Sequence, residues 1–299
     1  DNIIIFPGAT NAIFSVLSCL IDPGDELIVA EPMYIGYDGI FKALNARVVS
    51  VPLLVEENFA LDVEGIKAAV TARTNVILLN SPGNPAGNMI RPEHMQDLAA
   101  FCRERNIWLV CDEVYSMITF DEYHVSLRKA AQQLDNIVVI DGLSKSHAMT
   151  GWRLGWTVAS RAFSSHLLEF TSSTVFGCAQ FVQDAAAHAL TNDEEYIRGV
   201  REEYRQRRNY VCARVEDIPG LSCDSPQAGM FIMLRVADLA PDGLVFAEEL
   251  LDAKKVSVLP GEGFGACTRD YVRLSLAQPV TVLKPALDRI AAFAREKLS

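Results

Sequence analysis

The order of its apolar segments constrains the fold of this chain more than any other sequence feature. Short runs rich in Val, Ile and Leu alternate with longer segments whose apolar residues recur at helical spacing. Continuous apolar strands joined by helices are typical of a mostly parallel sheet covered on both faces, and so of an α/β fold. The predicted strands are 3–6, 26–30, 47–51, 76–79, 107–111 and 137–140, with helices at 12–21, 36–44, 63–70 and 92–104.

The pattern changes after Ser160, where helices are predicted at 163–171 and 180–190, followed by a charged helix at 193–215. Strands predicted at 230–236, 256–259 and 271–276 around a helix at 245–253 indicate a smaller α+β domain. We therefore expect a large domain over 1–191, a connecting helix over 192–215 and a small C-terminal domain over 216–299. Because a buried-strand pattern begins at Asn2, we also expect an N-terminal segment of the large domain to be absent.

Composition and charge exclude several classes of protein. A chain of 299 residues with 50% hydrophobic and 22% charged residues is neither collagen-like nor disordered. Its 27 basic and 38 acidic residues give a net charge of −11, which disfavours a nucleic acid as partner. No apolar stretch approaches the roughly 18 residues that a membrane helix requires. We expect no membrane partner.

The cysteines and histidines of the chain are not spaced as metal ligands are. Seven cysteines include no C-x-x-C pair, and several lie in apolar runs, so we interpret them as reduced core residues of a cytoplasmic protein. The five histidines are also not spaced as metal ligands, and no metal site is predicted. We interpret His147, two residues after Lys145, as a structural or supporting residue.

The segment that points most directly to chemistry is 142–155, GLSKSHAMTGWRLG, which follows an apolar strand. Lys145 lies between Ser144 and Ser146, where partial burial would lower its pKa toward a value useful for Schiff-base chemistry. Arg153 follows eight residues after this lysine. The spacing of the small residues, the lysine and the arginine resembles the lysine signature of the class I/II pyridoxal-phosphate (PLP) aminotransferases. That resemblance implies the aspartate aminotransferase-like fold.

Three further segments resemble motifs of this family, in the same order along the chain. Residues 6–12, FPGATNA, look like its phosphate-binding turn, in which Gly8, Ala9 and Thr10 would contact the phosphate at a helix N-terminus. Residues 31–34, EPMY, resemble the segment whose aromatic ring, here Tyr34, stacks on the pyridine. Residues 80–87, NSPGNPAG, resemble N-P-x-N-P-T-G, which gives Asn84 a hydrogen bond to the phenolic oxygen of the cofactor and a place beside the substrate.

Two more landmarks lie at strand positions. Residues 112–115, DEVY, match the family's D-E-x-Y spacing, which implies that Asp112 keeps the pyridine nitrogen protonated and that Tyr115 bonds to the phenolic oxygen. Arg273 lies within an apolar strand, where an unpaired charge is costly. The resemblance implies that this arginine binds the α-carboxylate of the substrate through a bidentate fork.

Taken together, the motifs imply a ping-pong transfer of an amino group from an L-amino acid to a 2-oxo acid. Lys145 would hold PLP as a Schiff base and then act as general base and acid, while Ser144 and Arg153 with the phosphate-binding turn anchor the phosphate. Residues 30–34 and 144–153 look most similar to the arginine:pyruvate transaminase group, which stands close to bacterial aspartate and aromatic aminotransferases. Gly142 departs from the family, which often has a phosphate-binding Ser there.

The resemblance leaves the donor and the exact reaction open. Family members are usually homodimers with shared active sites, and residues 176–180 lie in the region expected near the neighbour. Donor specificity among arginine, aspartate and aromatic amino acids depends on such contacts and on the N-terminal arm. A PLP-dependent carbon-sulfur lyase or decarboxylase is one alternative, and an aminotransferase-like effector domain of a transcription regulator is another. A catalytically dead binding module is disfavoured because Lys145, Asp112 and Arg273 are present.

Overall fold

A computed structural model describes residues 1–131 and 133–299 of the chain. Its larger sheet has seven strands in the order β1-β7-β6-β5-β4-β2-β3. Four neighbouring pairs, β2–β3, β2–β4, β4–β5 and β5–β6, are parallel, while β7 is antiparallel to both β1 and β6. The predicted α/β class with a mostly parallel sheet is confirmed. The strands are β1 Ile3–Phe6, β2 Glu26–Glu31, β3 Arg47–Pro52, β4 Thr74–Asn80, β5 Trp108–Asp112, β6 Ile137–Gly142 and β7 Gly155–Ala159.

Helices cover both faces of this sheet because its strands are apolar on both sides. Along β4, Ile77 and Leu79 point into the core beneath α4, and Val76 and Leu78 into the core beneath α1. The helices that precede β7, and the first two that follow it, are α1 Ala9–Leu20, α2 Gly36–Ala43, α3 Val63–Ala69, α4 Pro92–Arg105, α5 Leu127–Ala130, α6 Leu143–Ser146, α7 Arg161–Thr174 and α8 Gln180–Thr191.

A second core surrounds a three-stranded antiparallel sheet of order β8-β10-β9. Apolar side chains from α9, α10 and α11 pack on this sheet, and Phe246 and Leu287 are fully enclosed there. The elements are α9 Glu194–Glu216, β8 Phe231–Arg235, α10 Gly243–Lys254, β9 Leu259–Pro260, β10 Tyr271–Ser275 and α11 Val280–Leu298. The boundaries of the large domain, connecting helix and small domain stay a prediction.

Several elements differ from the sequence expectations, including the one-turn helices α5 and α6, which were not predicted. The strand expected at 256–259 was wrong for most of its length, since only Leu259–Pro260 pairs with β10. Strand β7 was not predicted, because its five residues directly follow a polar loop and alternate between buried and half-buried positions. The 19-residue helix α11 was also missed, although buried residues such as Leu283, Leu287 and Ile290 follow helical spacing.

Candidate active site

The predicted site residues gather at one edge of the seven-stranded sheet. Strand β4 ends at Asn80, β5 ends at Asp112, and β6 runs directly into α6, which carries Lys145. Since these strands are parallel, their carboxyl ends meet at the same edge, where α/β proteins bind their ligands. The side chain of Asn80 connects the loops, because its Nδ2 donates to the Asp112 carbonyl at 2.9 Å and its Oδ1 accepts from the Asn84 amide at 2.8 Å.

A cavity of about 270 Å³ lies at this edge and contains nine of the eleven predicted site residues. A larger cavity of about 650 Å³ lies along β1 and α7 and is lined by none of them. We therefore take the smaller cavity as the candidate active site on the basis of its chemistry. Its lining consists of Ala9, Thr10, Ile13, Tyr34, Asn80, Asn84, Asp112, Val114, Tyr115, Ser144, Lys145, Thr150 and Arg153. Gly8 and Arg273, the other two predicted residues, each contact a lining residue.

Lys145 is the only lysine in this lining. Burial lowers the pKa of its ammonium group, and the positive charges of Arg153 and Arg273 lower it further, against an opposing effect of Asp112. The neutral amine therefore becomes more accessible at neutral pH than for a lysine in water. A neutral amine is the form that attacks an aldehyde.

Asp112 is enclosed beneath the cavity, and burial raises the pKa of its carboxyl group to about 6. Hydrogen bonds from the Tyr37 hydroxyl at 2.6 Å and from the Val114 amide at 3.2 Å act in the opposite direction. The carboxylate is thus available at neutral pH to pair with a cationic ligand group. Tyr37 was missed by sequence analysis, and its only signal was its place one helical turn after Tyr34.

Two aromatic side chains contribute different surfaces. The Tyr34 ring lines the cavity and packs edge-on against Tyr37, with 5.4 Å between ring centroids. Tyr115 is buried, and burial raises the pKa of its hydroxyl group, so that this group stays protonated and can donate a hydrogen bond.

The first turn of α1 and Arg153 form an anion-binding arrangement. Gly8 precedes the helix with φ 96°, a conformation that favours glycine, and a Cβ there would lie 2.3 Å from Nη2 of Arg153. A Cβ on Gly155 would similarly lie 2.6 Å from the Ala9 amide nitrogen. The amide groups of this helix N-terminus and a guanidinium group therefore meet without intervening side-chain bulk, as binding of a phosphate requires.

Arg273, on β10 of the second sheet, reaches toward the same cavity. Its Nη1 donates to Oδ1 of Asn84 at 2.7 Å, and burial lowers the pKa of its guanidinium group. Within residues 1–131 and 133–299 this arginine forms no salt bridge, unlike Arg208, which binds Asp121 at 2.7 Å. A half-buried cation with unpaired N–H groups is suited to bind a carboxylate.

The site combines a lysine amine of lowered pKa, an enclosed carboxylate, a phosphate-sized anion site and a cation for a carboxylate. On an α/β sheet, this set defines a class of enzyme that activates amino acids through an aldehyde cofactor. Comparisons identify the family: its model for class I and II aminotransferases matches residues 1–290. The chain belongs to the class I and II aminotransferase family, and it is an enzyme of amino-group transfer.

The chain is similar to the arginine–pyruvate transaminase AruH of Pseudomonas aeruginosa, with 41% identity over all of the chain and 76% of the relative. An aspartate aminotransferase of Bacillus subtilis is 32% identical over 98% of the chain and 76% of its own length. Among solved structures, Thermus thermophilus aspartate aminotransferase with maleate matches with a TM-score of 0.92 at 32% identity, covering 98% of this chain and 76% of the other. The aromatic aminotransferase from Pyrococcus horikoshii matches with a TM-score of 0.94 at 29% identity, and the match covers 99% of this chain and 80% of the other.

Two further findings bear on other ligands. Within the described part of the chain, no three His, Cys, Asp or Glu side chains are grouped so as to hold a metal ion. Over the same residues, none of the helices combines the length and the apolar character needed to cross a membrane.

Proposed function

We propose that this cavity binds pyridoxal 5′-phosphate and that the chain transfers the α-amino group of an L-amino acid to a 2-oxo acid. The proposal is carried by one observation: Lys145, Asp112 and three residues of the anion site, Ala9, Thr10 and Arg153, line the same 270 Å³ cavity. These groups suit the aldehyde, the ring nitrogen and the phosphate of this cofactor, respectively.

The shape of the site supports the fit. The space in front of the α1 N-terminus exists because Gly8 and Gly155 lack a Cβ, which would collide with Arg153 and with the Ala9 amide. Ala9, Thr10 and Ser144 also line this part of the cavity, and we assign them with Arg153 to the phosphate. Tyr34 offers an apolar face to the ring, while Asn84 and Tyr115 offer donors for its phenolic oxygen.

In this proposal, Asp112, Lys145 and Arg273 each have a separate role in the reaction. Bound PLP supplies an electron sink for the bond that breaks at the substrate α-carbon. The carboxylate of Asp112 would accept a hydrogen bond from the ring nitrogen and so would keep that nitrogen protonated. The amine of Lys145 removes the proton from the α-carbon and delivers it again, because its lowered pKa makes the neutral form available. Arg273 holds the substrate carboxylate, which fixes the orientation of the α-carbon.

Arginine is the donor, and pyruvate the acceptor, that we propose to test first. The supporting observation is the 41% identity to a relative named arginine–pyruvate transaminase, against 31–32% for relatives named aspartate aminotransferase. Aspartate and aromatic amino acids are the alternative donors. A decarboxylase on the same scaffold would release carbon dioxide from the same donor, whereas a carbon-sulfur lyase would act on a donor that contains a carbon-sulfur bond.

We also propose that the chain is organised as a large domain over 1–191, a connecting helix over 192–215 and a small domain over 216–299. We further propose that the active protein is a homodimer. A homodimer is supported by the exposed apolar side chains beyond α7, where Phe176 is 93% and Phe181 is 71% exposed. Sedimentation of the PLP-loaded protein tests the homodimer, and a monomer at micromolar concentration would contradict it.

The activity is tested with the purified chain and PLP, by following the products formed from arginine, aspartate or phenylalanine with pyruvate or 2-oxoglutarate. The expected result is alanine or glutamate in amounts equal to the 2-oxo acid released from the donor. Lys145→Ala removes this activity, whereas Lys42→Ala, on the exposed side of α2, retains it. Release of carbon dioxide from these donors, or of methanethiol when S-methylcysteine is offered instead, without amino transfer to the acceptor, would contradict the proposal.

A further inference from the structure

The guanidinium group of Arg273 lies between two aromatic rings. Its Cζ is 3.8 Å from the centroid of the Phe231 ring and 4.6 Å from that of the Phe264 ring. Phe231 belongs to β8, which pairs with β10, and Phe264 ends the short 3-10 turn Gly261–Phe264 that precedes β10. One ring therefore approaches Arg273 from a strand of the second sheet and the other from a turn outside the sheet.

Two aromatic rings on the guanidinium group hold it in position while its edge stays available for hydrogen bonds. Aromatic rings attract a cation to their faces, and they attract it more strongly where water is excluded. They also leave the N–H groups at the guanidinium edge free, because stacking uses its face. One of these N–H groups already bonds to Asn84, and the others remain for a ligand.

Phe264 has a second contact, which connects this arginine to the segment next to Tyr34, a residue of the cavity lining. Its carbonyl oxygen accepts a hydrogen bond of 2.8 Å from the amide of Met33, the residue before Tyr34. A Cβ on the nearby Gly263 would lie 3.3 Å from Cδ1 of Ile35, so the two loops pack closely. Phe264 thus contacts both Arg273 and the segment that holds Tyr34 at the cavity.

We propose that Phe231 and Phe264 are positioning residues that hold the Arg273 guanidinium by stacking and so set the affinity for the substrate α-carboxylate. This inference rests on the proposed function, in which Arg273 binds that carboxylate. The rings act through Arg273 and do not touch the reacting atoms. Their stacking favours a planar guanidinium, so a lysine ammonium at the same position would lose it.

The test is the dissociation constant of 2-methylalanine, an amino acid that keeps the carboxylate but has no α-proton, measured by calorimetry on the PLP-loaded chain. Phe264→Leu weakens this binding by about three- to thirtyfold, the range expected from a lost cation–π contact. The KM for a reactive donor rises by the same factor, while kcat changes by less than about twofold because proton transfer is untouched. Phe264→Tyr should retain the binding of 2-methylalanine, since a tyrosine ring also stacks on the guanidinium group.

Phe293→Leu is the matched control. Phe293 is a buried aromatic residue in the core of the second sheet, and the ammonium group of Lys297 lies 5.6 Å from its ring. Phe293 does not line the cavity. This variant should bind 2-methylalanine as the unaltered chain does. Phe231→Leu provides a second variant should Phe264→Leu fail to fold, and the same loss of affinity is expected.

A double-mutant cycle separates the two hypotheses. Arg273→Lys should weaken 2-methylalanine binding strongly in the unaltered chain, and less in the Phe264→Leu chain, where the stacking is already gone. An equal effect in both backgrounds, or binding unchanged by Phe264→Leu and Phe231→Leu, overturns the positioning role alone. If Arg273→Lys has no effect on binding in either background, the assignment of Arg273 to the carboxylate fails instead.

Discussion

The hydroxyl group of Tyr37 donates a hydrogen bond of 2.6 Å to Oδ2 of Asp112. Tyr37 lies in α2, one helical turn after the ring of Tyr34 that lines the cavity. Strand β5 brings Asp112 to the floor of the same cavity. One helix therefore stabilises the charged form of the carboxylate, since this donor lowers a pKa that burial alone would raise further.

Replacing Tyr37 by Phe should raise the pKa of Asp112 above its value of about 6, because a donor to the charged form is lost. A hydrogen bond to a charged group contributes about 1.5–3 kcal/mol, so a rise of roughly one to two units is expected. Carbon-13 NMR of the Asp112 carboxyl group in the PLP-free chain measures it. Tyr123→Phe, at a side chain that is 79% exposed, is the control, and an unchanged midpoint in Tyr37→Phe would refute this role.

Asp112→Asn should stabilise the PLP-free chain in a pH-dependent manner. The pKa of Asp112 rises from 3.8 in the unfolded chain to about 6 when folded, so the folded state binds more protons between these values and loses stability as pH rises. The Asn variant does not carry this penalty. Its gain over the original chain should therefore be near zero below about pH 4 and reach roughly 2–3 kcal/mol above about pH 6. Urea unfolding at several pH values measures it, and a pH-independent difference would contradict the sign.

Gly8→Ala should weaken PLP binding by more than tenfold, because the new Cβ would lie 2.3 Å from Nη2 of Arg153 at the entrance to the phosphate site. Gly24→Ala is a close control for backbone strain, since Gly24 has φ 98° against 96° for Gly8 but nothing within 4 Å of its Cβ position. Both variants should lose about 1–2 kcal/mol of folding stability through strain at positive φ. Equal PLP affinities in the two variants would show that the phosphate does not bind here.

Asp141, at the end of β6, should tolerate Asn but not Leu. Burial raises the pKa of its carboxyl group well above the ordinary value, and the nearby Glu113 raises it further. Its oxygens accept hydrogen bonds from the Gly142 amide at 2.7 Å and the Ser116 hydroxyl at 2.9 Å. Asn can serve both partners, because a serine hydroxyl also accepts.

Urea unfolding at pH 7 distinguishes the two Asp141 variants. Asp141→Asn should change the free energy of unfolding by less than about 1 kcal/mol, whereas Asp141→Leu should lose about 2–4 kcal/mol by leaving two partly buried donors unpaired. A large loss in the Asn variant would mean that the carboxyl group is charged in the folded protein.

The sequence was sufficient for residues whose roles depend on local spacing. The Lys145 segment, the Gly8 turn and the loop around Asn84 are continuous motifs, and each lies on or beside the cavity. Tyr37 could not be predicted in this way, because its partner Asp112 is 75 residues away. Phe264 lies only nine residues before Arg273, but its contact with the guanidinium group arises from the turn Gly261–Phe264, which no local motif indicates. Such contacts depend on how α2 packs on β5 and how the 261–264 turn folds over β10.

The helices and strands also differ in how far local sequence predicts them. Strands buried on both faces, such as β4 and β5, have continuous apolar runs and were found within two or three residues. Strand β7 lies between two antiparallel neighbours, and its pairing with β1 and β6 connects segments about 150 and 15 residues away. Pairing over such separations leaves no local pattern in a five-residue strand.

The central claim is that the amine of Lys145 binds PLP covalently. Its most direct measurement is peptide mass spectrometry of the PLP-loaded chain after borohydride reduction, which fixes the bond between cofactor and lysine. The account predicts a single pyridoxyl label, on Lys145, and none on the Lys145→Ala chain. A label on another lysine such as Lys42, or an unlabelled chain that still holds PLP, would contradict it.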